Sequence, residues 1–529
     1  MSAKQQVDEE FKNYGGVDQD SAYTTAPPKF RKAVYVSSMV AAVGGFICGY
    51  DTGAVSGILA MPIFQNNFFT EENITYLQGL LLALYLMTAA LGAFSSGYFC
   101  DRFSRKYCIM AASAIFSVGI LLQIIGVNFG VLLAGRLIGG FGSGTMTNAI
   151  PLYHSEIAPA DIRGRLISFF TLMATFGQVA GYFTTFGTSY VDSNWSWRGP
   201  WLLHLIVCVL FGISMTNLPF SPRWLIDKER YEEAKQVLVE LHEVPGTHPL
   251  VMEEYQNIVT EIKFERSLGD RTYLELFQGS NLKRTLLAFF ISISTSFTGN
   301  VAIWYYAPQI FQSAGLDDTS TSIAATGGTG ILSFVAAFIS LQYFIDKVGR
   351  RPVFLIGASV MGISMFVVGA MFHAYTVVDV NTYSVTITNP YARNTIIAFL
   401  YIFIATFQFS WGTASYVYPA EIFNMRTRAK GLALTYGLNW AFSILITYCV
   451  PLFIAHTVSG VYFFFGSCCC VCFIGCCFIP ETKGKTLEEM EELFGANIKG
   501  CPSYQQWVVA AESLYPYLAD QDNACVAMM

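Results

Sequence analysis

Two ionisable residues stand where the chain can least tolerate them. Asp51 lies inside the first long apolar run and Arg136 inside the fourth. An ionised carboxylate in hydrocarbon costs about 2.5–3.5 kcal/mol on insertion scales, so it needs a partner or a function. Arg136 is the expected partner. A carboxylate that stays charged beside an arginine, and takes a proton when that arginine withdraws, can carry one proton per cycle. The bland alternative is a static buried ion pair. Further charges recur as matched sets. Asp101-Arg102-Phe-Ser-Arg105-Lys106 corresponds to Asp346-Lys347-Val-Gly-Arg350-Arg351. Glu156 precedes Arg163 by seven residues, with Arg165 following, and Glu421 precedes Arg428 by the same seven. Pro219-Phe-Ser-Pro-Arg223 corresponds to Pro480-Glu481-Thr-Lys-Gly484. Carboxylates can pair with guanidinium groups of neighbouring helices. These sets therefore read as a latch that holds two halves together at one end and releases them in another state. The alternative is ordinary positive-inside anchoring.

The elements that position these groups must be membrane helices. Of 529 residues, 53% are apolar, 15% aromatic and only 13% charged, about half the charge of a soluble domain. Mean hydropathy is +0.45. Such a chain cannot cover a water-facing surface, which argues against a soluble enzyme or a disordered protein. A net charge of −6 offers no basic nucleic-acid surface. The 13 cysteines lie mostly inside apolar runs, as in Cys468-Cys469-Cys470, and read as small packing residues and not as a disulfide framework.

Crossing about 30 Å of hydrocarbon takes about 20 apolar residues. Runs of that kind occur near 33–57, 76–99, 107–127, 130–152, 166–190 and 200–218, and again near 285–312, 322–344, 353–373, 394–418, 431–455 and 459–479. The pattern predicts an all-α membrane protein of twelve transmembrane helices in two six-helix halves, 33–218 and 285–479. Residues 219–284 form a connecting stretch with short helices, residues 1–32 a disordered tail, and residues 480–529 a second tail. In the connecting stretch, Ala234, Val237, Leu238 and Leu241 follow helical spacing, and Tyr255, Ile258 and Ile262 form a second stripe. Nearly all Lys and Arg residues fall in alternate loops, Arg198 and Arg393 excepted, which predicts both termini in the cytoplasm. The sequons at Asn73 and Asn194 fall on the opposite side and are candidate glycosylation sites. The matched motifs recur 245 to 265 residues apart, so the halves read as a parallel duplication with a site between them near the midplane.

The chain resembles the sugar porter family of the major facilitator superfamily over about residues 30–495. The resemblance rests on Gly49-Tyr-Asp-Thr-Gly53, the two Asp/Arg loops, Gly135-Arg136, Ser155-Glu-Ile-Ala-Pro159 with Arg163-Gly-Arg165, Ser221-Pro-Arg-Trp-Leu225, Tyr305-Tyr-Ala-Pro308, Tyr418-Pro-Ala-Glu421 with Arg428-Ala-Lys-Gly431, and Pro480-Glu-Thr-Lys-Gly484. The first and last look most like fungal hexose and sugar transporters. The resemblance implies a multi-pass transporter of the cell membrane. It also implies a proton-binding Asp51 with its Arg136, as in proton symporters of the family.

A sugar presents a ring of hydroxyls, which amides and aromatic faces can meet. The resemblance places pocket residues on the fifth, seventh, tenth and eleventh spans: Thr171 and Gln178, then Thr295, Ser296, Asn300 and Tyr305, then Tyr416, then Asn439 and Trp440. Several depart from the family pattern. Thr171, Thr295 and Ser296 stand where glutamines are usual, and Tyr416 replaces a tryptophan. Thr413 and Ser415 replace prolines, which should stiffen the tenth span. Phe220 stands where the first half usually carries a Glu. Short hydroxyls leave more room and fewer fixed bonds, which permits a disaccharide, polyol, inositol or sugar acid as well as a hexose.

Other chemistry lacks support. Gly484-Lys485-Thr486 ends like a phosphate loop, but Ile479 stands where its first Gly is required. The six histidines show no metal spacing, and no catalytic constellation appears, so neither metal nor cofactor is expected. Gly139-Gly-Phe-Gly-Ser-Gly144 reads as close helix packing. The expected partners are a sugar or polyol, protons and the lipid bilayer. The expected function is proton-coupled sugar uptake by alternating access. The alternatives are an uncoupled facilitative hexose transporter and a non-transporting sugar receptor.

Overall fold

The computed structural model describes residues 32–70, 73–158, 162–267, 272–316, 319–341, 348–378, 385–387, 389–423, 425–483 and 493–494. The first half comprises α1 Lys32–Ala60, the short α2 Pro62–Phe68, α3 Ile74–Phe103, α4 Arg105–Ile125, α5 Phe129–Ile157, α6 Arg163–Thr188 and α7 Trp195–Ser214. The connecting stretch holds α8 Pro222–Asp227, α9 Tyr231–His242 and α10 Pro249–Ser267. The second half comprises α11 Gly279–Phe297, α12 Asn300–Ser313, α13 Thr319–Ile339, α14 Arg350–Tyr375, α15 Pro390–Phe409, α16 Trp411–Ile422, α17 Met425–His456 and α18 Val458–Cys476.

Among the described residues, eleven helical segments are long and apolar enough to cross a bilayer, with α11–α12 and α15–α16 each counting as one. α5 makes the twelfth. Its 29 residues match α1 in length, but Gly, Ser, Thr, Asn and Arg136 dilute its apolar content. That composition suits a helix whose sides are covered by other helices, and 19 of its residues are buried. A two-stranded hairpin, Thr376–Val378 antiparallel to Val385–Ile387, adds to the all-helical expectation. Its β-branched residues fit a short ribbon better than a helix end.

Small residues set the closest helix contacts. Gly45, Gly49, Gly53 and Gly57 recur every fourth residue along α1 and meet α6. A Cβ on Gly49 would stand 1.8 Å from the Ala174 carbonyl oxygen. The Gly-rich run of α5 acts in the same way, since a Cβ on Gly144 would stand 1.9 Å from the Ala89 carbonyl oxygen of α3. Backbones this close hold Asp51 on α1 and Arg136 on α5 in fixed register.

Two spans are broken. Gly299 has φ +93° and separates α11 from α12. Ser410 separates α15 from α16. The second break falls just before Thr413 and Ser415, which stand in place of prolines. Here a hydroxyl replaces a missing ladder bond: Thr413 Oγ1 donates to the Gln408 carbonyl at 3.0 Å. Side chains can satisfy freed backbone groups in a broken membrane helix.

The halves meet along α3–α17 and α6–α13. Gly437 of α17 faces the Phe94 ring of α3, and Phe176 and Phe334 lie with ring centroids 5.5 Å apart. The connecting helices pack beneath the first half, at the end that carries Asp101 and Glu156. Trp224, Leu225, Ala234, Ile258 and Ile262 share one apolar cluster. Trp224 Nε1 donates to the Asp101 carbonyl at 3.2 Å, and Glu243 accepts the Ala33 N–H at the start of α1 at 2.8 Å. Tails 1–31 and 495–529 lie outside the described residues.

Candidate functional site

A cavity lies between the halves at the level of the broken spans. It takes Thr52 from α1, Leu86 from α3 and Thr147 from α5, and its remaining wall from the second half. Its space for water centres, about 90 Å³, is several times the roughly 10–15 Å³ that one water needs. Of the residues expected to face a solute, Thr295, Asn300, Tyr305, Tyr416, Asn439 and Trp440 line it. Thr171, Gln178 and Ser296 do not line it. Gln178 instead donates to Tyr182 Oη at 2.9 Å, and that phenol donates to the Trp304 carbonyl at 3.1 Å. It supports the wall from behind. Ser296 bonds to the Asn439 carbonyl at 3.1 Å and receives an Asn439 amide proton at 3.2 Å. It therefore orients Asn439. Thr171 is buried on α6.

The sequence reading missed Ser292, Trp304, Thr435, Tyr436 and Ser443, as well as Thr52 and Thr147. The signal was present on α17: Thr435, Tyr436, Asn439, Trp440 and Ser443 lie on one helical face once Asn439 is chosen. Ser292 likewise lies one turn before Thr295.

Beside the cavity, Arg136 Nη1 donates to both oxygens of Asp51, at 3.0 and 2.8 Å. Both side chains are sealed, at 0% and 1% exposure. The guanidinium lies 4.9 Å from the centroid of the Tyr85 ring. Its Nε and Nη2 have no hydrogen-bond partner among the described residues. Asp51 is thus held through one nitrogen, next to Thr52 on the cavity wall.

At the end with the connecting helices, charges cluster within each half. Arg105 of α4 pairs with Glu156 of α5 at 2.8 Å and with Asp101 of α3 at 3.1 Å. Arg350 of α14 pairs with Glu421 of α16 at 2.6 Å. Glu481 accepts the backbone N–H groups of Arg350 and Arg351 at 2.9 and 3.0 Å. Thr482 Oγ1 donates to Glu421 at 2.7 Å. Burial alone would raise the Glu481 carboxyl, but N–H bonds from Arg350, Lys483, Arg351 and Thr482 outweigh it and hold it below its ordinary value. Arg102 donates to Tyr98 Oη, Arg428 to the Phe423 carbonyl, and Arg165 is exposed. Arg163 begins α6, but its side chain and all of Asp346 lie outside the described residues.

Among the described residues these ion pairs join helices of one half. The paired groups sit on neighbouring helix ends of the same block. Between the halves, the Phe170 and Tyr416 rings lie 6.3 Å apart beside the cavity, and the connecting stretch touches both halves through Tyr273, whose ring lies 5.1 Å from Lys430 and whose Oη donates to the Phe94 carbonyl at 3.5 Å. At the opposite end, Asn73 Oδ1 accepts the Thr70 N–H and Asn194 Oδ1 accepts from Asn67 Nδ2.

A buried ion pair beside a neutral, hydroxyl-lined cavity between two six-helix blocks is the arrangement of a membrane transporter. The family model described as "Sugar (and other) transporter" matches residues 37–494. The chain belongs to the sugar porter family of the major facilitator superfamily. Similar proteins include the major facilitator-type transporter ecdD of Aspergillus rugulosus, 32% identical over 480 residues, or 87% of each chain. The hexose transporter HXT10 of Saccharomyces cerevisiae is 33% identical over 482 residues, covering 87% of this chain and 85% of its own. Among solved structures, the proton:xylose symporter XylE bound to 6-bromo-6-deoxy-D-glucose is 26% identical with a TM-score of 0.74, over 87% of this chain and 99% of XylE. This sugar porter is accordingly a multi-pass membrane transporter and not an enzyme, with the twelve-helix fold of its superfamily.

Proposed function

We propose that this sugar porter imports a sugar or sugar-like polyol across the plasma membrane by alternating access, one proton accompanying each cycle. Asp51 carries the proton. Protonation removes its charge and frees Arg136, which then relaxes towards Tyr85 and Thr52. The solute is held by Thr295, Asn300, Tyr305, Tyr416, Asn439 and Trp440, and both termini face the cytoplasm. The observation that carries the coupling is the sealed Asp51–Arg136 pair, held through one nitrogen, one residue from the cavity wall. The similarity to a chain named as a proton:xylose symporter supports the same reading. Asn73 and Asn194 are the proposed glycosylation sites on the outer face.

The test is uptake in proteoliposomes with and without an inward pH gradient. Wild type should accumulate solute only with the gradient. Asp51→Asn leaves the buried Arg136 charge uncompensated, a cost of about 3–5 kcal/mol. The companion Asp51→Asn/Arg136→Gln removes both charges and should bind solute and exchange it down its gradient without accumulation. Gradient-independent uptake by wild type would make the chain an uncoupled facilitator. No uptake of any sugar, with intact solute binding, would make it a receptor.

A further inference from the structure

Three helices that line the cavity run away from the connecting helices. α1 starts beside Glu243 of the connecting stretch, and α12 follows α11, which leaves that stretch. α17 follows α16, whose Glu421 belongs to the charge cluster at the same end. A step of four residues along each helix therefore moves about one turn towards the end that carries Asn73 and Asn194. Three such steps start from cavity-lining residues: Thr52 to Ser56, Tyr305 to Gln309, and Ser443 to Thr447. Each ends on a polar group that is sealed from solvent and has no hydrogen-bond partner among the described residues. These groups are Ser56 Oγ, both Nε2 and Oε1 of Gln309, and Thr447 Oγ1.

The three groups belong to one layer at the seam between the halves. α12 packs against α1 of the first half and against α17 of its own half. Just below the layer, the Tyr305 phenol lies beside Thr52, and within it Tyr306 Oη donates to the Thr447 carbonyl at 3.0 Å. Ser56 and Thr447 are both 0% exposed. Polar neighbours on the same helices are satisfied: Gln312 Nε2 donates to Ser322 Oγ at 3.3 Å, and Ser443 Oγ to the Asn439 carbonyl at 2.8 Å. A buried hydroxyl or amide left unpaired forfeits the bonds that water would give it, and that loss destabilises the arrangement that buries it.

We infer that Ser56, Gln309 and Thr447 are gating residues: their unpaired groups make the outer seal of the cavity costly to close, and water relieves that cost when the seal opens. Moving α1 away from α12 and α17 brings water to all three at once. The cost belongs to the closed seal alone, so it shifts the population towards the outward-open form. Closure then needs a compensating gain, which a solute bound to the cavity residues one turn below supplies. The inference rests on the alternating-access reading and adds to it the groups that set its balance.

The experiment uses the full chain in sealed vesicles, with native cysteines replaced and Thr295→Cys as the reporter. An impermeant maleimide is applied to each face in turn, without solute. The ratio of outer to inner labelling rates follows the equilibrium between the two open forms. Into this parent are built Gln309→Met, Ser56→Ala and Thr447→Val, which remove the polar atoms and nearly keep the shape. Gln309→Met should lower the ratio by about tenfold and the other two by about three- to tenfold each, the scale of one unpaired buried group relieved. The thermal unfolding temperature should stay level or rise, because no bond is lost. Gln312→Met removes a paired amide from the same helix and should not lower the ratio. A ratio that is unchanged or raised in all three variants, or a fall in their unfolding temperature, would overturn the gating role while leaving alternating access intact. A ratio lowered as much by Gln312→Met would overturn it too. A parent never labelled from the outer face would overturn the alternating-access reading, and the gating role with it.

Discussion

The two halves end differently at the side that carries the connecting helices. Both begin from the same duplicated segment, Pro219-Phe220-Ser-Pro-Arg in one and Pro480-Glu481-Thr-Lys-Gly in the other. In the second half, Glu481 acts as a carboxylate cap on the start of α14 through the N–H groups of Arg350 and Arg351. In the first half, an aromatic ring takes that place. Phe220 lies 4.8 Å from Lys106 Nζ and stacks on Trp224 with centroids 5.9 Å apart. Lys106 also donates to the carbonyls of Thr216 and Leu218, both at 2.7 Å. The lesson is that one position can fasten the same helix junction by charge or by a cation over a ring. The two fastenings differ in their response to acid and salt.

The sharpest break falls on the element the halves share. Glu156→Gln leaves Arg105, only 7% exposed, without its closer carboxylate. Removing one partner of such a buried pair should cost about 3–5 kcal/mol, read as a fall in thermal unfolding temperature of the purified protein. Glu421→Gln should cost less, since the Glu421 side chain is 30% exposed. Equal losses would mean that the two clusters are not graded by burial.

Glu481→Ala comes next. It strands the N–H groups of Arg350, Arg351, Thr482 and Lys483, and should cost about 1–3 kcal/mol. Its pH dependence has a definite sign. The carboxyl is held below its ordinary value in the folded chain, so its stabilisation is complete above the unfolded value, near 4.3, and is lost as pH falls through the folded value. The stability difference between wild type and Glu481→Ala should therefore shrink only in acid. A difference that stays constant from pH 7 to pH 3 would contradict this.

The smallest effect is expected at Phe220. Phe220→Leu loses the cation–π contact, about 0.5–2 kcal/mol. Phe220→Glu converts the first-half fastening to the second-half kind and should shift stability by no more than about 1 kcal/mol. That variant should also become more sensitive to salt than wild type. A large loss would show that the ring's packing on Trp224 and Tyr107, and not its partner cation, secures the junction.

Much of this was legible in the chain itself. Hydropathy sufficed for the spans, because apolar length is what a bilayer demands. Charge in an apolar run sufficed for Asp51 and Arg136, because nothing else in hydrocarbon can compensate either one. The breaks at Gly299 and Ser410 were not legible. A break is decided by whether local hydroxyls such as Thr413 can replace ladder bonds, and hydropathy does not register that. The cavity was half legible. Residues on the wall-facing side of α17 follow from Asn439, whereas spacing alone could not show that Gln178 donates to Tyr182 behind the wall. The charges at the helix ends were legible, but sequence spacing does not say whether a charge reaches its own block or the opposite one.

The central claim is that the cavity lined by Thr295 and Asn439 opens to one side of the membrane at a time. Single cysteines at these positions, in a background whose native cysteines are replaced, can be labelled with impermeant reagents from either face of sealed vesicles. The account predicts labelling whose sidedness changes when a transported sugar is added to one compartment. Labelling from both faces at once, or sidedness that no sugar changes, would contradict it.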